Sequence, residues 1–183
     1  MKTDYDWLLK WAPYLTGKEV LELGCGPGID SLKIASWAET LTACDLNPVL
    51  VQHENVITMT LDHSETLPFS NGEFDVVVAS LCLHYFSWDN THKIIKEVSR
   101  VLADDGVLIC RLNSEKDIYH GAQGYSEIEP GLYDVKGDPK RFFTQKDVMT
   151  FLGDQWDVMT LEHKTIDRYK LPKSIWELAV IKL

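Results

Sequence analysis

Short apolar runs alternate with segments of helical periodicity along most of this 183-residue chain. Runs of strand length lie at 18–23, 40–46, 56–62, 74–83 and 107–112, and helices are predicted at 29–38 and 92–102, with room for only a short helix in 47–55. Strands that alternate with helices form a mostly parallel sheet covered on both faces and joined by right-handed crossovers. The alternation therefore predicts a doubly wound α/β fold.

The two ends of the chain depart from this alternation. Spaced Trp and Leu residues predict an N-terminal helix that stops near Gly17. Residues 113–143 read as an irregular insertion with few apolar anchors, and a helix follows at 144–152. Two final strands, 156–167 and 176–183, have no helical crossover between them and are expected to pair antiparallel.

Length, composition and charge limit the number of domains and the kinds of partner that this chain can have. A chain of 183 residues with 45% apolar content is expected to form one domain, 1–183. The net charge of -10, without a Lys/Arg cluster, argues against a nucleic-acid partner. No apolar run approaches the ~20 residues of a membrane span, and the first residues lack the plan of a secretion signal, so we expect no membrane partner and a cytoplasmic location.

The spacing of the four cysteines indicates whether they could bind a metal or form disulfides. Cys25, Cys44, Cys82 and Cys110 are widely separated, with no C-x-x-C and no paired His. Although His84 lies two residues after Cys82, the cysteines form no spaced Cys/His pair of the zinc-site kind. The spacing argues against a zinc site and against a disulfide framework, and no metal is expected. We predict that the four are reduced, mostly buried thiols.

Three glycines alternate with single residues in "LELGCGPGID", between the first predicted strand and its helix. In doubly wound sheets such a turn binds nucleotide-like ligands. A dinucleotide requires G-x-G-x-x-G, but Ile29 stands where the last glycine belongs, and the acids Glu22 and Asp30 flank the turn. An acidic neighbourhood suits a cation better than a pyrophosphate, which disfavours a nucleotide-dependent oxidoreductase.

Four motifs in order carry a family resemblance: "VLELGCGPG", "ACDLNP", "LPFSNGEFDVVVASLCLHYF" and "EVSRVLADDGVLI". Together they resemble the class I S-adenosylmethionine-dependent methyltransferases over nearly the whole chain. The resemblance implies a seven-stranded sheet of order 3-2-1-4-5-7-6 in which only strand 7 is antiparallel. The segments "CRLNSEKDIYHGAQG", "KRFFTQKDV" and "LPKSIWELAVIKL" are similar to the small-molecule, tellurite-resistance-type branch of that family.

The same resemblance implies S-adenosylmethionine as cofactor and S-adenosylhomocysteine as product. It places Glu22 near the methionine ammonium and Asp45 on both ribose hydroxyls. For the adenine amino group, the position usually held by an acid is His63, whereas Asp62 lies one residue earlier, so both are candidates. The other implied cofactor contacts are Gly24, Cys25, Gly26, Gly28, Leu46, Ser80 and Leu81.

His84 and Tyr85 follow the central strand, where the family's acceptor pocket opens, and are the candidate catalytic residues. The alternative is that His84 is a structural hydrogen-bonding residue and Tyr85 a packing aromatic. The strand ends "ASLCLHYF" rather than with the D/N-P-P-Y/F motif of enzymes that methylate nucleic-acid amino groups. This difference, with the net charge of -10, argues against nucleic-acid amino groups as acceptors. The similarity to the tellurite-resistance-type branch implies a small-molecule acceptor.

Residues 113–143 are predicted either to cover the acceptor as a lid or to be a mobile surface loop. The sequence thus predicts a methyltransferase for a small-molecule acceptor, acting as a monomer or homodimer. The alternative is an S-adenosylmethionine-binding module without turnover.

Overall fold

The computed structural model describes residues 4–183. In chain order the strands are β1 (Glu19–Leu23), β2 (Thr40–Asp45), β3 (Val56–Thr60), β4 (Phe74–Ser80), β5 (Leu102–Asn113), β6 (Ser126–Glu129), β7 (Leu132–Val135), β8 (Asp138–Arg141), β9 (Trp156–Ile166) and β10 (Lys173–Lys182). The α-helices are α1 (Ala12–Leu15), α2 (Ile29–Ala35), α3 (Trp88–Val101) and α4 (Gln145–Leu152). Two 3-10 helices span Asp4–Trp11 and Gly153–Gln155.

Seven of the strands form one sheet of order β3-β2-β1-β4-β5-β10-β9. Neighbouring strands from β3 to β5 pair in parallel, and β10 pairs antiparallel with both β5 and β9. Only β10 therefore runs against the rest. The predicted fold class and strand order are confirmed, with β9 and β10 in the places of strands 6 and 7.

Side chains that alternate along the central strands fill a core on each face of the sheet. On β4, Val77 and Ala79 pack with α3 and α4, whereas Val76 and Val78 pack with the N-terminal segment and α2. All four side chains are buried. The continuous apolar run at 74–83 thus contains a strand that is covered on both faces, as predicted.

Helix ends follow their local capping residues. The side chain of Thr144 accepts from Asp147 N and that of Asp147 accepts from Thr144 N, a capping box that begins α4. Gly153 ends α4 with a φ of 65°, as expected. The helix predicted at 92–102 begins earlier, at Trp88, because Ser87 caps it through Asn90 N.

Two local predictions are wrong. Residues 47–55 contain no helix. The insertion at 113–143 is not irregular, because β6, β7 and β8 form an antiparallel three-stranded sheet. Tight turns join these strands, and in them Gly131 and Gly137 adopt φ values of 78° and 95°.

Buried contacts tie this insertion to the main sheet. Arg141 is 1% exposed; its guanidinium donates to Phe86 O and Pro130 O, pairs with Glu129 and lies 4.2 Å from the Trp88 ring centroid. Phe143 is fully buried. Arg141 at the end of β8 and Phe143 shortly after it therefore anchor the insertion.

None of the helices within residues 4–183 is long and apolar enough to cross a membrane.

Candidate active site

The glycine turn lies between β1 and α2 at the carboxyl edge of the sheet. Gly24, Gly26 and Gly28 all adopt positive φ values, of 68°, 50° and 78°. A Cβ atom on Gly24 would lie 2.3 Å from the Cβ of Cys82, and one on Gly28 would lie 2.6 Å from Val51 Cγ2. A Cβ atom on Gly26 would meet nothing within 4 Å among the described residues. Two glycines thus serve the packing of the turn, and Gly26 leaves space beside it.

Asp45 ends β2 and faces this turn. Its Oδ2 accepts from Gly26 N at 2.9 Å, and its Oδ1 accepts from Asn47 N at 3.0 Å. Each carboxylate oxygen can accept a further hydrogen bond. The backbone therefore fixes the orientation of the Asp45 carboxylate while leaving acceptor capacity toward a ligand beside Gly26.

Glu22 lies one residue before the end of β1 and is only 3% exposed. The Ser31 hydroxyl of α2 donates to Glu22 Oε2. Burial raises the pKa of Glu22 to about 8, the Ser31 bond opposes this rise, and the nearby charge of Asp30 adds to it. A cationic group that binds beside this buried carboxyl would lower its pKa and stabilise its ionised form, because a nearby positive charge favours ionisation.

Asp30 and Arg168 lie beside Glu22. Asp30 accepts from the indole nitrogen of Trp7 and pairs with Arg168 at 3.3 Å. The charge of Arg168 lowers the pKa of Glu22, against the larger effect of burial. Arg168 belongs to the segment between β9 and β10, and no motif in the sequence indicated that it would meet the glycine turn.

The other predicted cofactor contacts surround the same edge. Cys25 is buried in the turn and donates its N–H to Cys44 O, while Leu46 projects from the end of β2 with 57% of its surface exposed. Ser80 ends β4, and its buried hydroxyl has no partner within the described residues. Leu81 follows with a φ of 58°, a left-handed conformation that non-glycine residues rarely adopt. All four cysteines are free and buried, as predicted.

Asp62 and His63 differ in their surroundings. The exposed Asp62 accepts through Oδ1 from both the N–H and the hydroxyl of Ser64, and these bonds lower its pKa. His63 Nε2 donates to Cys82 O at 3.2 Å, and its ring packs edge-on against Phe86. Burial lowers the pKa of His63, so its imidazole is neutral near pH 7. Asp62 faces solvent, whereas His63 is held in the protein.

His84 and Tyr85 follow β4 at the same edge. His84 is 4% exposed, and its Nδ1 has no hydrogen-bond partner within the described residues. Burial, and then the charges of Lys173 and Lys140, lower the pKa of His84 well below its ordinary value. The Tyr85 ring lies 4.3 Å from the imidazole, and burial raises the pKa of its hydroxyl. His84 is therefore buried and uncharged near pH 7.

A cavity of about 210 Å³, termed the basic cavity below, opens where these two residues meet the ends of β5 and β10. Its lining residues are Leu81, His84, Tyr85, Asn113, His120, Lys140, Tyr169 and Lys173. A second cavity of about 240 Å³, within the insertion, shares His120 and Lys140 with it. The insertion therefore forms one wall of the basic cavity.

Five residues of this lining were not singled out as site candidates from the sequence: Asn113, His120, Lys140, Tyr169 and Lys173. They come from β5, β8, β10 and two connecting segments, so no short motif contains them. Asn113 is 1% exposed, and its Oδ1 has no partner within the described residues. Within residues 4–183, no group of three or more His, Cys, Asp or Glu residues is arranged to hold a metal ion.

Comparison with known proteins agrees with this arrangement. The family described as "Methyltransferase domain" matches residues 21–110. The malonyl-[acyl-carrier protein] O-methyltransferase of Herminiimonas arsenicoxydans is 32% identical over 126 residues, which cover 67% of this chain and 47% of that protein. This chain spans about half the length of the first curated relatives it matches.

Solved structures share the fold at low identity. A SAM-dependent methyltransferase from Methanosarcina mazei superposes with a TM-score of 0.77 at 23% identity, covering 95% of this chain and 97% of that one. The 1,6-didemethyltoxoflavin-N1-methyltransferase of Burkholderia thailandensis, solved with 1,6-didemethyltoxoflavin and S-adenosylhomocysteine, gives 0.72 at 18% identity, covering 98% and 79%. The strand order and these superpositions show the fold of the class I S-adenosylmethionine-dependent methyltransferases, and residues 21–110 match the methyltransferase-domain family.

Proposed function

We propose that this protein binds S-adenosylmethionine at the glycine turn and transfers its methyl group to a small-molecule acceptor in the basic cavity. The observation that carries the proposal is the open space beside Gly26, flanked by the oriented carboxylate of Asp45 and the buried carboxyl of Glu22. S-adenosylmethionine carries an ammonium and two ribose hydroxyls, which suit these two acids. It has no phosphate, and therefore fits a turn flanked by acids.

Each residue is assigned a role from its surroundings. Glu22 holds the methionine ammonium, which neutralises its buried charge, and Asp45 accepts from the ribose hydroxyls. For the adenine amino group we favour Asp62, because it is exposed and Oδ2 is not used in its bonds to Ser64. Cys25, Leu46, Ser80 and Leu81 are assigned to the cofactor contact surface. Arg168 is assigned to holding Asp30, with which it pairs, beside Glu22.

Methyl transfer requires alignment more than acid–base chemistry. Bound S-adenosylmethionine supplies an already activated methyl group on its sulfonium. The chain aligns the acceptor and excludes water, both of which accelerate an in-line displacement. Where the acceptor enters protonated, the unpartnered Nδ1 of His84 takes its proton. Tyr85 is assigned to packing against the imidazole and the acceptor.

A small-molecule acceptor is favoured by the size of the site. Neither cavity reaches the ~300 Å³ at which pockets for drug-sized ligands begin. The solved neighbour from Burkholderia thailandensis is named for a small acceptor. No nucleic-acid partner is proposed, in keeping with the net charge of -10.

Calorimetry with S-adenosylmethionine, S-adenosylhomocysteine and NADH tests the cofactor. We expect binding of the first two and not of NADH, and the reverse pattern would reject the proposal. Turnover is then tested on a panel of thiols, amines, hydroxyls and carboxylates. Cofactor binding with no turnover on any member of the panel would favour the alternative of a binding module.

His84→Gln tests the proton acceptor. With a protonated acceptor we expect turnover to fall about 100-fold, the scale of a lost general base, with S-adenosylhomocysteine affinity unchanged. His92→Gln is the matched control, because His92 is exposed on α3 and does not line the basic cavity. Equal turnover of His84→Gln and the wild type would leave His84 with a structural role.

A further inference from the structure

The residues that line the basic cavity have an unusual charge for this protein. The chain carries 28 acidic and 18 basic residues. Within the described part of the chain, however, the lining holds two lysines and two histidines, and it includes no Asp or Glu. Basic residues that cluster around one cavity of an acidic protein are suited to binding a negatively charged ligand there.

The two lysines are close enough to act on the same groups. Both ammonium charges lower the pKa of His84, after the larger effect of burial. Burial is also the main cause that lowers the pKa of Lys173, and Lys140 contributes to that shift. The positive charges therefore converge on one small volume beside the imidazole.

The positive charges of Lys140 and Lys173 are only partly balanced by nearby carboxylates. Lys173 is 8% exposed and pairs with Asp117 at 3.5 Å. The other oxygen of Asp117 accepts from Tyr119 N and His120 N. Lys140 forms no salt bridge with any residue in 4–183, and Asp138, the acid beside it in the second cavity, is exposed. Of the two ammonium groups, only that of Lys173 thus has a carboxylate partner within the described residues.

Two residues that line the cavity, His84 and Asn113, each carry a buried polar atom without a hydrogen-bond partner within the described residues. His84 Nδ1 and Asn113 Oδ1 belong to side chains that are 4% and 1% exposed, and neither atom has a partner among the described residues. Buried polar atoms are rarely left without a hydrogen bond unless a ligand or water supplies it.

We propose that the methyl acceptor is a small organic or inorganic anion, whose acidic group binds between Lys140 and Lys173 while its methyl-accepting atom faces His84. This deepens the proposed function and rests on it. A bound anion would offset the two ammonium charges that act on His84. The same binding event would thus position the acceptor and make the imidazole a better proton acceptor.

The experiment compares matched anionic and neutral compounds. Protein saturated with S-adenosylhomocysteine is titrated with benzoate, benzamide and inorganic phosphate, and binding is followed by ligand-observed NMR. Turnover is measured with thiol, amine and hydroxyl acceptors, each as a carboxylate and as the corresponding primary amide. The variants are Lys140→Met, Lys173→Met and the double variant, with Lys170→Met as the control because Lys170 is exposed and does not line the cavity.

We expect at least one anion to bind the wild type ten times more tightly than its neutral counterpart, and turnover to prefer the matching acid. The double variant should lose this preference, and Lys170→Met should keep it. Neutral compounds that bind as well as anions, a preference that survives in the double variant, or no anion binding at all would each overturn the proposal. S-adenosylhomocysteine affinity is measured for every variant, so failure of the proposed function is seen separately.

Discussion

Two halves of one sheet edge differ in the ionisable residues they present, acidic in one and basic in the other. Beside β1 and β2, the carboxyls of Glu22 and Asp45 flank a turn of glycines. Beside β4, β5 and β10, Lys140, Lys173 and His84 line the basic cavity. Placing the cationic cofactor in the acidic half and an anionic acceptor in the basic half gives each ligand its complement. The net charge of -10 describes neither half.

The largest effect is expected at the glycines of the acidic half. Gly24→Ala and Gly26→Ala share the cost of a side chain at positive φ, about 1 kcal/mol, but only the first brings Cβ within 2.3 Å of Cys82. We expect Gly24→Ala to lower the free energy of unfolding by about 3 kcal/mol or more, since overpacking adds to the strain. Denaturant unfolding of both variants measures the difference.

Gly26→Ala completes the test of the turn. We expect a stably folded protein whose affinity for S-adenosylhomocysteine falls at least tenfold, because the new methyl group enters the ligand's space. Undiminished affinity in calorimetry would mean that the space beside Gly26 is not the cofactor site. Equal destabilisation by the two substitutions would contradict the division of roles among the glycines.

The next effect concerns Glu22 and depends on pH. The folded protein keeps this proton up to about pH 8, whereas the unfolded chain releases it near the ordinary pKa of 4.5. Rising pH therefore favours the unfolded state across this window, and the loss of stability is complete above about pH 8. We expect Glu22→Gln to be more stable than the wild type at pH 8.5 and about equally stable near pH 4.

The ionisation of Glu22 should also be detectable when the cofactor binds. If the methionine ammonium ionises Glu22, binding of S-adenosylhomocysteine at pH 7 releases a proton, and the observed enthalpy varies with the ionisation enthalpy of the buffer. Glu22→Gln should remove this variation and weaken binding. Buffer-independent enthalpies in the wild type would show that the ammonium binds elsewhere.

The smallest of the three effects is expected at Asp45. Asp45→Ala should weaken S-adenosylhomocysteine binding by more than about 1.5 kcal/mol, the scale of charge-assisted bonds to the ribose. Asp45→Asn keeps one acceptor oxygen and should lie between the wild type and Asp45→Ala. The exposed Asp157→Ala is the control, and calorimetric affinity of Asp45→Ala equal to that of the control would reject the ribose role.

The accuracy of the sequence predictions varied with the distance over which each signal acts. The run at 74–83 identified a strand covered on both faces, and Thr144 and Gly153 gave the limits of α4, because these signals lie within a few residues of their effect. The three strands at 126–141 were missed, although "EPGLYDVKGDPKR" contains two glycine turns between short runs. Their Tyr, Asp and Lys residues weakened the apolar alternation on which the prediction relied.

The absence of a helix in 47–55 has a tertiary cause. Val51 packs on Gly28, its N–H donates to Thr58, and Val49 N donates to Gly26 O at 3.4 Å. These contacts tie the segment to the glycine turn and to β3 in extended form. Its own sequence contains no signal for that docking.

By itself the sequence determined the doubly wound sheet, the glycine turn and the acids beside it, because alternating apolar runs and residues at strand ends act through local geometry. Only the tertiary structure decided the basic cavity. Lys140 reaches it from β8 and Lys173 from the start of β10, which pairs antiparallel with β5 and so brings Lys173 to the end where Asn113 lies. Burial in the folded protein, and then the charges of those two lysines, lower the pKa of His84. The lysines are too far from His84 in the sequence for any local pattern to predict this effect.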